Sequence, residues 1–177
     1  DLVHQCGRSA SGDYVHTVQM IDVATGWSER AAILGRGQRV TVHAFHRMLA
    51  RLPFRVIEIH PDNGSEFFNW HLVRFWKDAV KGVRLTRSRP FHKNDNRFVE
   101  HLSWRRQGKN STLVRAYFGN ERLDSVAQTR LLNEIYDKMG IYYNLFQPVM
   151  RMVKKEVITT TDHARRVRRH YDVAKTP

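Results

Sequence analysis

The sequence predicts one α/β domain in which a mixed β-sheet is covered by helices on both faces. Two patterns predict this class: an N-terminal hairpin pattern rich in β-branched residues, and a following alternation of helices with short strands. With 177 residues, one domain is expected. A hydrophobic fraction of 41% supplies enough apolar side chains for a core.

The first three elements are predicted to be strands. Residues 14–21 alternate between apolar and polar types, and a second such run covers residues 27–33. The turn-forming sequence Ala24-Thr25-Gly26 separates them, which indicates a hairpin. Residues 1–5 are predicted to add a third strand to it.

Helices and short strands alternate after the hairpin. Residues 38–52 carry apolar side chains at helical spacing, and Pro53 follows where the helix should end. Residues 56–60 are predicted to form a short buried strand. Residues 68–80 have one apolar helical face, and another short strand is expected at 83–85.

The second half of the chain begins with a predicted exposed loop at 86–95, after which a helix resumes near residue 96. A longer helix is predicted over 125–146, where a broad apolar stripe indicates core packing. A shift in composition divides the chain into a domain over residues 1–147 and a basic extension over 148–177, which holds eight Lys and Arg residues. Because the chain opens on Asp1 and not on Met, we expect it to be a segment of a longer protein whose upstream part is missing.

Charge and composition limit the function classes. The chain has 30 Lys+Arg against 17 Asp+Glu, a formal charge of +13, and a pI near 10.5. This balance favours a polyanionic partner, most commonly nucleic acid, over a membrane or a small-molecule substrate. No run approaches the ~18 apolar residues of a membrane span. The single cysteine, Cys6, excludes an internal disulfide and favours a cytoplasmic location.

Three acidic residues are candidates for one metal site. Asp1 begins the first predicted strand, Asp62 follows the strand at 56–60, and Glu100 stands on the helix after the basic loop. Carboxylates that are brought together repel one another, and hard divalent cations are the usual compensation. Two such ions ~3.5–4 Å apart can activate an attacking oxygen and stabilise a leaving oxygen. A solvated surface carboxylate remains the alternative for each of the three.

Several motifs resemble a known family. Residues 62–67, Asp-Asn-Gly-Ser-Glu-Phe, closely resemble the second acidic motif of retroviral integrases and integrase-type transposases. Residues 1–4, 22–27 and 93–100 stand in the order and approximate spacing of that family's catalytic core. Residues 171–177 are similar to the tail of a group of prokaryotic insertion-sequence transposases, so the resemblance covers nearly the whole chain.

The resemblance implies a ribonuclease-H-like fold with a mixed five-stranded sheet. It also implies that residues 1–147 are the catalytic core and that the missing upstream part is a DNA-binding region. It implies that Asp1, Asp62 and Glu100 are both catalytic residues and metal ligands. Mg²⁺ is the implied ion, and Mn²⁺ should substitute for it. Asp22 competes with Asp1, but the corresponding position is not catalytic in the family.

The implied activity is metal-dependent cleavage of mobile-element ends, with water as nucleophile, and strand transfer into target DNA, with a 3′-hydroxyl as nucleophile. The resemblance also implies a homodimer or higher multimer, associated with the nucleoid of a prokaryotic cytoplasm. Basic and polar residues flank Glu100 and are predicted to bind DNA, although a solvated charged surface is the alternative: Arg87, Arg89, Lys93, Asn94, Arg97, Arg105, Arg106 and Lys109.

The chain departs from the family pattern around the predicted glutamate. Arg97 stands where many relatives have glycine, three residues before Glu100. His101-Leu102-Ser103 replaces a Gln-Lys-Asn sequence, so a lysine expected near the substrate is absent.

Two other hypotheses remain open. The first is a DNA-binding or assembly module of the same fold without catalysis, and metal-dependent cleavage discriminates against it. The second is a ribonuclease-H-type nuclease acting on RNA–DNA hybrids, and such enzymes usually have a fourth carboxylate.

Overall fold

The computed structural model describes residues 1–61, 70–86, 110–150, 152–159 and 165–177. Within these ranges no helix is both long enough and apolar enough to cross a membrane. The described elements, in chain order, are β1 (Leu2–Gln5), β2 (Val15–Ile21), β3 (Ser28–Leu34), α1 (Gln38–Leu49), β4 (Glu58–Ile59), α2 (Trp70–Ala79), β5 (Arg84–Leu85), α3 (Asn110–Phe118), α4 (Val126–Ile141), a π-helical turn (Tyr142–Phe146), β6 (Met152–Thr159) and β7 (Arg165–Tyr171).

The predicted N-terminal hairpin and its third strand are confirmed. Strands β1, β2 and β3 form an antiparallel sheet in that order, with Leu2 opposite Val18 and Val18 opposite Ala31. Gly26 closes the β2–β3 turn with a φ of +87°, a conformation that side chains other than glycine adopt only with strain.

The prediction of helices on both faces of the sheet is also confirmed. Alternate residues of each strand point to opposite faces, which divides the core into two clusters. On one face, Val18, Ala31 and Ile33 pack with buried residues of α1 and α2, which include Phe45, Met48, Leu72 and Trp76. On the other face, Val15 and Ala32 pack with α4 through Leu132, Tyr136 and Met139.

The prediction of a buried strand at 56–60 is wrong in length and exposure. Strand β4 has two residues and pairs in parallel only with β5 among the described elements, and Ile57 beside it is 73% exposed. The Glu58 carboxylate accepts hydrogen bonds from Arg84 and Thr86, so these polar side chains hold the pair at the surface. Within the described ranges the predicted five-stranded sheet is not present, because the strands form separate sheets of three, two and two strands.

The long helix predicted over 125–146 is confirmed as α4 and the π-helical turn. Ser125 and Gln128 form a capping box at its start. The apolar stripe packs in the core only in part: Leu132 and Tyr136 are buried, whereas Leu131 is 57% and Phe146 is 68% exposed. A helix face wider than the sheet it covers leaves its outer residues in solvent.

The basic C-terminal region forms a two-stranded antiparallel ribbon, β6–β7. Val157 lies opposite Val167, and Met152 lies opposite Tyr171. Below the ribbon, Val149 and Lys175 exchange two backbone hydrogen bonds of 2.9 and 3.2 Å.

Candidate active site

Asp1 lies at the end of the three-stranded sheet where β1 begins. Its backbone exchanges hydrogen bonds with Gln19 of β2: the Gln19 N–H donates to the Asp1 carbonyl at 2.9 Å, and the Asp1 amino group donates to the Gln19 carbonyl at 3.1 Å. The Asp1 Oδ1 atom accepts a 2.8 Å hydrogen bond from the Leu2 N–H. The side chain is half-buried, so a carboxylate stands at this sheet edge with access to solvent.

The strand that leads toward Asp62 packs against the same core as the start of β1. Leu2 and Ile59 both contact the buried cluster that contains Val18 and Met48. Ile59 is the last residue of β4, and the described chain continues to Pro61. Asp62 itself lies outside the described residues, and the described chain before it packs against the same buried cluster as Leu2.

Helix α3, which follows Glu100 in the chain, packs on the opposite face of the sheet. Helix α3 contacts β1, its residue Val114 is fully buried, and Leu113 packs against the cluster of Val15 and Ala32. Glu100 lies outside the described residues. The eight predicted DNA-binding residues also lie outside them: Arg87, Arg89, Lys93, Asn94, Arg97, Arg105, Arg106 and Lys109.

Two findings bear on the candidate metal ligands. In the part of the chain that the structure describes, no three His, Cys, Asp or Glu side chains are grouped so that they could hold a metal ion. Asp22, the competitor of Asp1, is engaged locally: its Oδ2 atom accepts hydrogen bonds from the Thr25 N–H and hydroxyl, both at 2.7 Å. The Asp22 side chain therefore helps to shape the β2–β3 turn.

A cluster of three rings beside the sheet edge was not predicted. His4 of β1 lies directly opposite His16 of β2, with ring centroids 4.9 Å apart, and Tyr14 lies 4.4 Å from His16. The His4 Nδ1 and Tyr14 Oη atoms are 3.3 Å apart. Burial, followed by the nearby charges of His4 and Arg36, lowers the pKa of His16 to about 4, so this ring is neutral at physiological pH. The register of β1 against β2 could have revealed the pair, since it sets the two histidines opposite each other.

An ion-pair network also escaped the sequence reasoning. Arg51, in the turn that follows α1, donates hydrogen bonds to Glu29 of β3 at 2.7 Å, to Asp137 of α4 at 2.5 Å, and to the Arg30 carbonyl at 2.7 Å. Arg47 also pairs with Asp137. The Glu29 side chain is only 4% exposed and accepts a further hydrogen bond from the Trp27 indole. The network ties the helices of both faces to β3.

No family model matches the chain. Comparison with known proteins finds similarity to a curated protein and to solved structures. The chain is 33% identical over 171 residues to "Uncharacterized protein y4rM" of Sinorhizobium fredii. The aligned residues cover 97% of this chain and 45% of that relative. It therefore spans less than half the length of that relative. The structure is also similar to the catalytic core domain of BIV integrase, with a TM-score of 0.49 and 16% sequence identity over 73% of this chain and 75% of that one. Neither similarity assigns an activity to this chain.

Proposed function

We propose that this chain is the catalytic core of a DNA transposase or integrase of a prokaryotic insertion sequence. The supporting observation is the motif set at 1–4, 62–67 and 93–100 together with the position of Asp1. Asp1 stands at the sheet edge, Ile59 of β4 packs against the same buried cluster as Leu2, and α3, which follows Glu100 in the chain, contacts β1. The proposed reaction is cleavage of element ends followed by strand transfer through in-line phosphoryl transfer.

The chemistry of the three predicted ligands fits a hard divalent cation. Asp1, Asp62 and Glu100 would provide an all-oxygen ligand set, which suits Mg²⁺, with Mn²⁺ as a substitute. When bound, the metal would supply positive charge that stabilises the negative charge on the attacking and leaving oxygens at a phosphodiester. The protein's contribution is to hold Asp1 at a fixed place, which the paired hydrogen bonds with Gln19 accomplish.

The DNA partners in this proposal are the element ends and the target duplex. A formal charge of +13 attracts any polyanion, and counterion release then makes the affinity depend on salt. The predicted residues around Glu100 would position the phosphates next to the carboxylates. Neither a membrane partner nor a small-molecule substrate is part of the proposal, and the working location is the nucleoid of a prokaryotic cytoplasm.

Joining two DNA ends requires two active sites, so we propose a homodimer or higher multimer. The π-helical turn and its flanks carry large apolar side chains that a second copy could cover. Their exposed fractions lie between 51 and 68%: Ile141, Tyr142, Leu145, Phe146 and Met150. These five residues lie in or next to the π-helical turn, and they are distant from Asp1 along the chain.

A nicking assay tests the proposed function. The full chain is incubated with plasmid DNA and Mg²⁺ or Mn²⁺, with and without a chelator. Asp62→Asn, Asp1→Asn and Glu100→Gln should each lower the cleavage rate at least about a hundredfold, since each removes a charge that holds the cation. Asp78→Asn is the matched control, because Asp78 is an exposed carboxylate on α2 that should not affect the rate.

The outcomes separate the alternatives. Cleavage by Asp62→Asn at the wild-type rate, in a protein with an unchanged melting temperature, contradicts the assignment. Metal-independent DNA binding without cleavage supports the non-catalytic module. Selective cleavage of an RNA–DNA hybrid supports the ribonuclease-H-type nuclease.

A further inference from the structure

The β6–β7 ribbon stands out from the remaining described structure because its main tertiary contacts are between its own two strands. Apolar side chains on it are exposed: Val153 by 71%, Val157 by 59% and Val167 by 40%. A two-stranded ribbon of this kind is marginally stable by itself in water. A binding partner that covers these side chains would stabilise it.

The ribbon is strongly basic. Residues 152–171 contain six Lys and Arg residues against Glu156 and Asp162. Glu156 is already matched by Lys154 at 2.6 Å and by His170 at 3.1 Å. Arg168 and Arg169 of β7 are exposed, and Arg169 shares its ribbon face with Val157 and Val167 by register.

The base of the ribbon lies at the same end of the sheet as Asp1. One methyl group of Val149 lies 3.4 Å from the place where a Gly26 Cβ would stand, so the base packs on the β2–β3 turn. Asp1 pairs with Gln19, which precedes that turn by only a few residues at the end of β2. At ~3.3 Å per residue, the ribbon base and the Asp1 edge are on the order of 10 Å apart along β2.

We propose that the β6–β7 ribbon enters the major groove of duplex DNA beside the cleavage site. This proposal rests on the proposed function. The major groove is about 12 Å wide and admits a two-stranded ribbon, whose strands lie about 4.8 Å apart. The arginines contact phosphates, and the central valine pair contacts base edges such as thymine methyl groups. Charge selects a polyanion, and the exposed valine pair favours a groove with apolar contacts over a bare phosphate surface.

Two kinds of variant test the ribbon in the full chain. The probe is a fluorescent duplex of about 25 base pairs, with affinity measured by anisotropy across a salt series. The double variant Arg168→Ala/Arg169→Ala should bind about tenfold more weakly, and its salt slope should be shallower by about 1.8 because two phosphate contacts are lost. The control Arg130→Ala/Lys138→Ala removes the same charge from exposed positions of α4 and should change neither value.

The second variant separates groove contact from simple charge attraction. Val157→Thr/Val167→Thr preserves β-propensity and charge, so it should weaken binding several-fold at an unchanged salt slope. Equal DNA affinities for the arginine variant and its control overturn the proposal. It is also overturned if both ribbon variants bind DNA normally but no longer bind phosphatidylserine vesicles, since the ribbon would then contact a membrane surface. If these results overturn the ribbon proposal while the wild-type chain still cleaves DNA, the proposed function stands. If the ribbon binds duplex DNA but the chain does not cleave it, only the catalytic assignment is overturned.

Discussion

Thr17 and Tyr136 are joined by a buried hydrogen bond, with Thr17 Oγ1 2.7 Å from Tyr136 Oη. Thr17 lies in the central strand β2, and Tyr136 lies on α4, 119 positions away. Because both hydroxyls are buried, water cannot replace either partner, and the bond therefore helps to fix the position of α4 on the sheet. It also accounts for the near-complete burial of a tyrosine that sequence periodicity assigns simply to an apolar stripe.

Tyr136→Phe should destabilise the fold by about 1–2 kcal/mol, since it leaves the Thr17 hydroxyl buried without its partner. Urea denaturation followed by circular dichroism measures the change. Tyr142→Phe is the matched control, because Tyr142 is 51% exposed and its hydroxyl donates a hydrogen bond of 3.3 Å to the Gln147 side chain at the surface. Equal midpoints for the two variants would show that the buried bond contributes nothing.

Alkaline pH should weaken the fold through the same residue. Burial raises the pKa of Tyr136 to about 12, despite the opposing effects of Thr17 and Arg30. Between pH 10 and 12 the unfolded chain ionises this hydroxyl while the folded chain does not, so stability falls as the pH rises. The fall should be smaller in Tyr136→Phe, as measured by urea midpoints at pH 9 and 11. An identical fall in both proteins contradicts the assigned pKa.

Acidic pH should weaken the fold through His16. Its pKa is lowered to about 4, so the neutral ring contributes stability above pH 6.5 that is lost as the pH falls from 6.5 toward 4. His16→Gln should reduce this loss when melting temperatures at pH 7 and pH 4.5 are compared, whereas His43→Gln, at an exposed position of α1, should not. An NMR titration showing His16 with an ordinary pKa would refute the prediction.

Arg51→Ala should destabilise the chain by about 3 kcal/mol, because Glu29 would keep a buried charge without its main cation. The measurement is the free energy of unfolding in urea. Arg74→Ala removes an exposed partner of Asp78 and should have a much smaller effect. Similar losses for both variants would mean that burial of Glu29 does not matter.

Phe146→Glu should convert a dimer to a folded monomer if a second copy covers the exposed π-helical turn. Sedimentation at micromolar concentration measures the state, and Ile57→Glu, 73% exposed beside β4, serves as the control. Tyr143 is a poorer probe, because its hydroxyl is 2.7 Å from that of Tyr117 and Arg30 lies over its ring within the same chain. A wild-type chain that is monomeric with and without DNA would overturn the proposed assembly.

The sequence by itself determined the elements whose signals are local. Alternation of apolar and polar residues predicts β2 and β3, and the turn at 24–26 predicts that these two strands form a hairpin. Apolar residues at helical spacing predict α1 and α4. The acidic motifs and the basic charge likewise follow from residue type and order, so the functional hypothesis precedes any coordinates. The pattern could not separate Asp1 from Asp22 without the family resemblance, since both carboxylates stand next to strands.

Tertiary structure alone decided what each side chain meets. Leu131 and Leu132 are adjacent and equally apolar, yet only Leu132 is buried, because the sheet covers one side of α4. The hydrogen bonds from Thr25 assign Asp22 to a turn, and the pairing of β1 with β2 sets His4 against His16. Burial and partnership depend on surfaces brought from distant parts of the chain, and local periodicity contains no information about those surfaces.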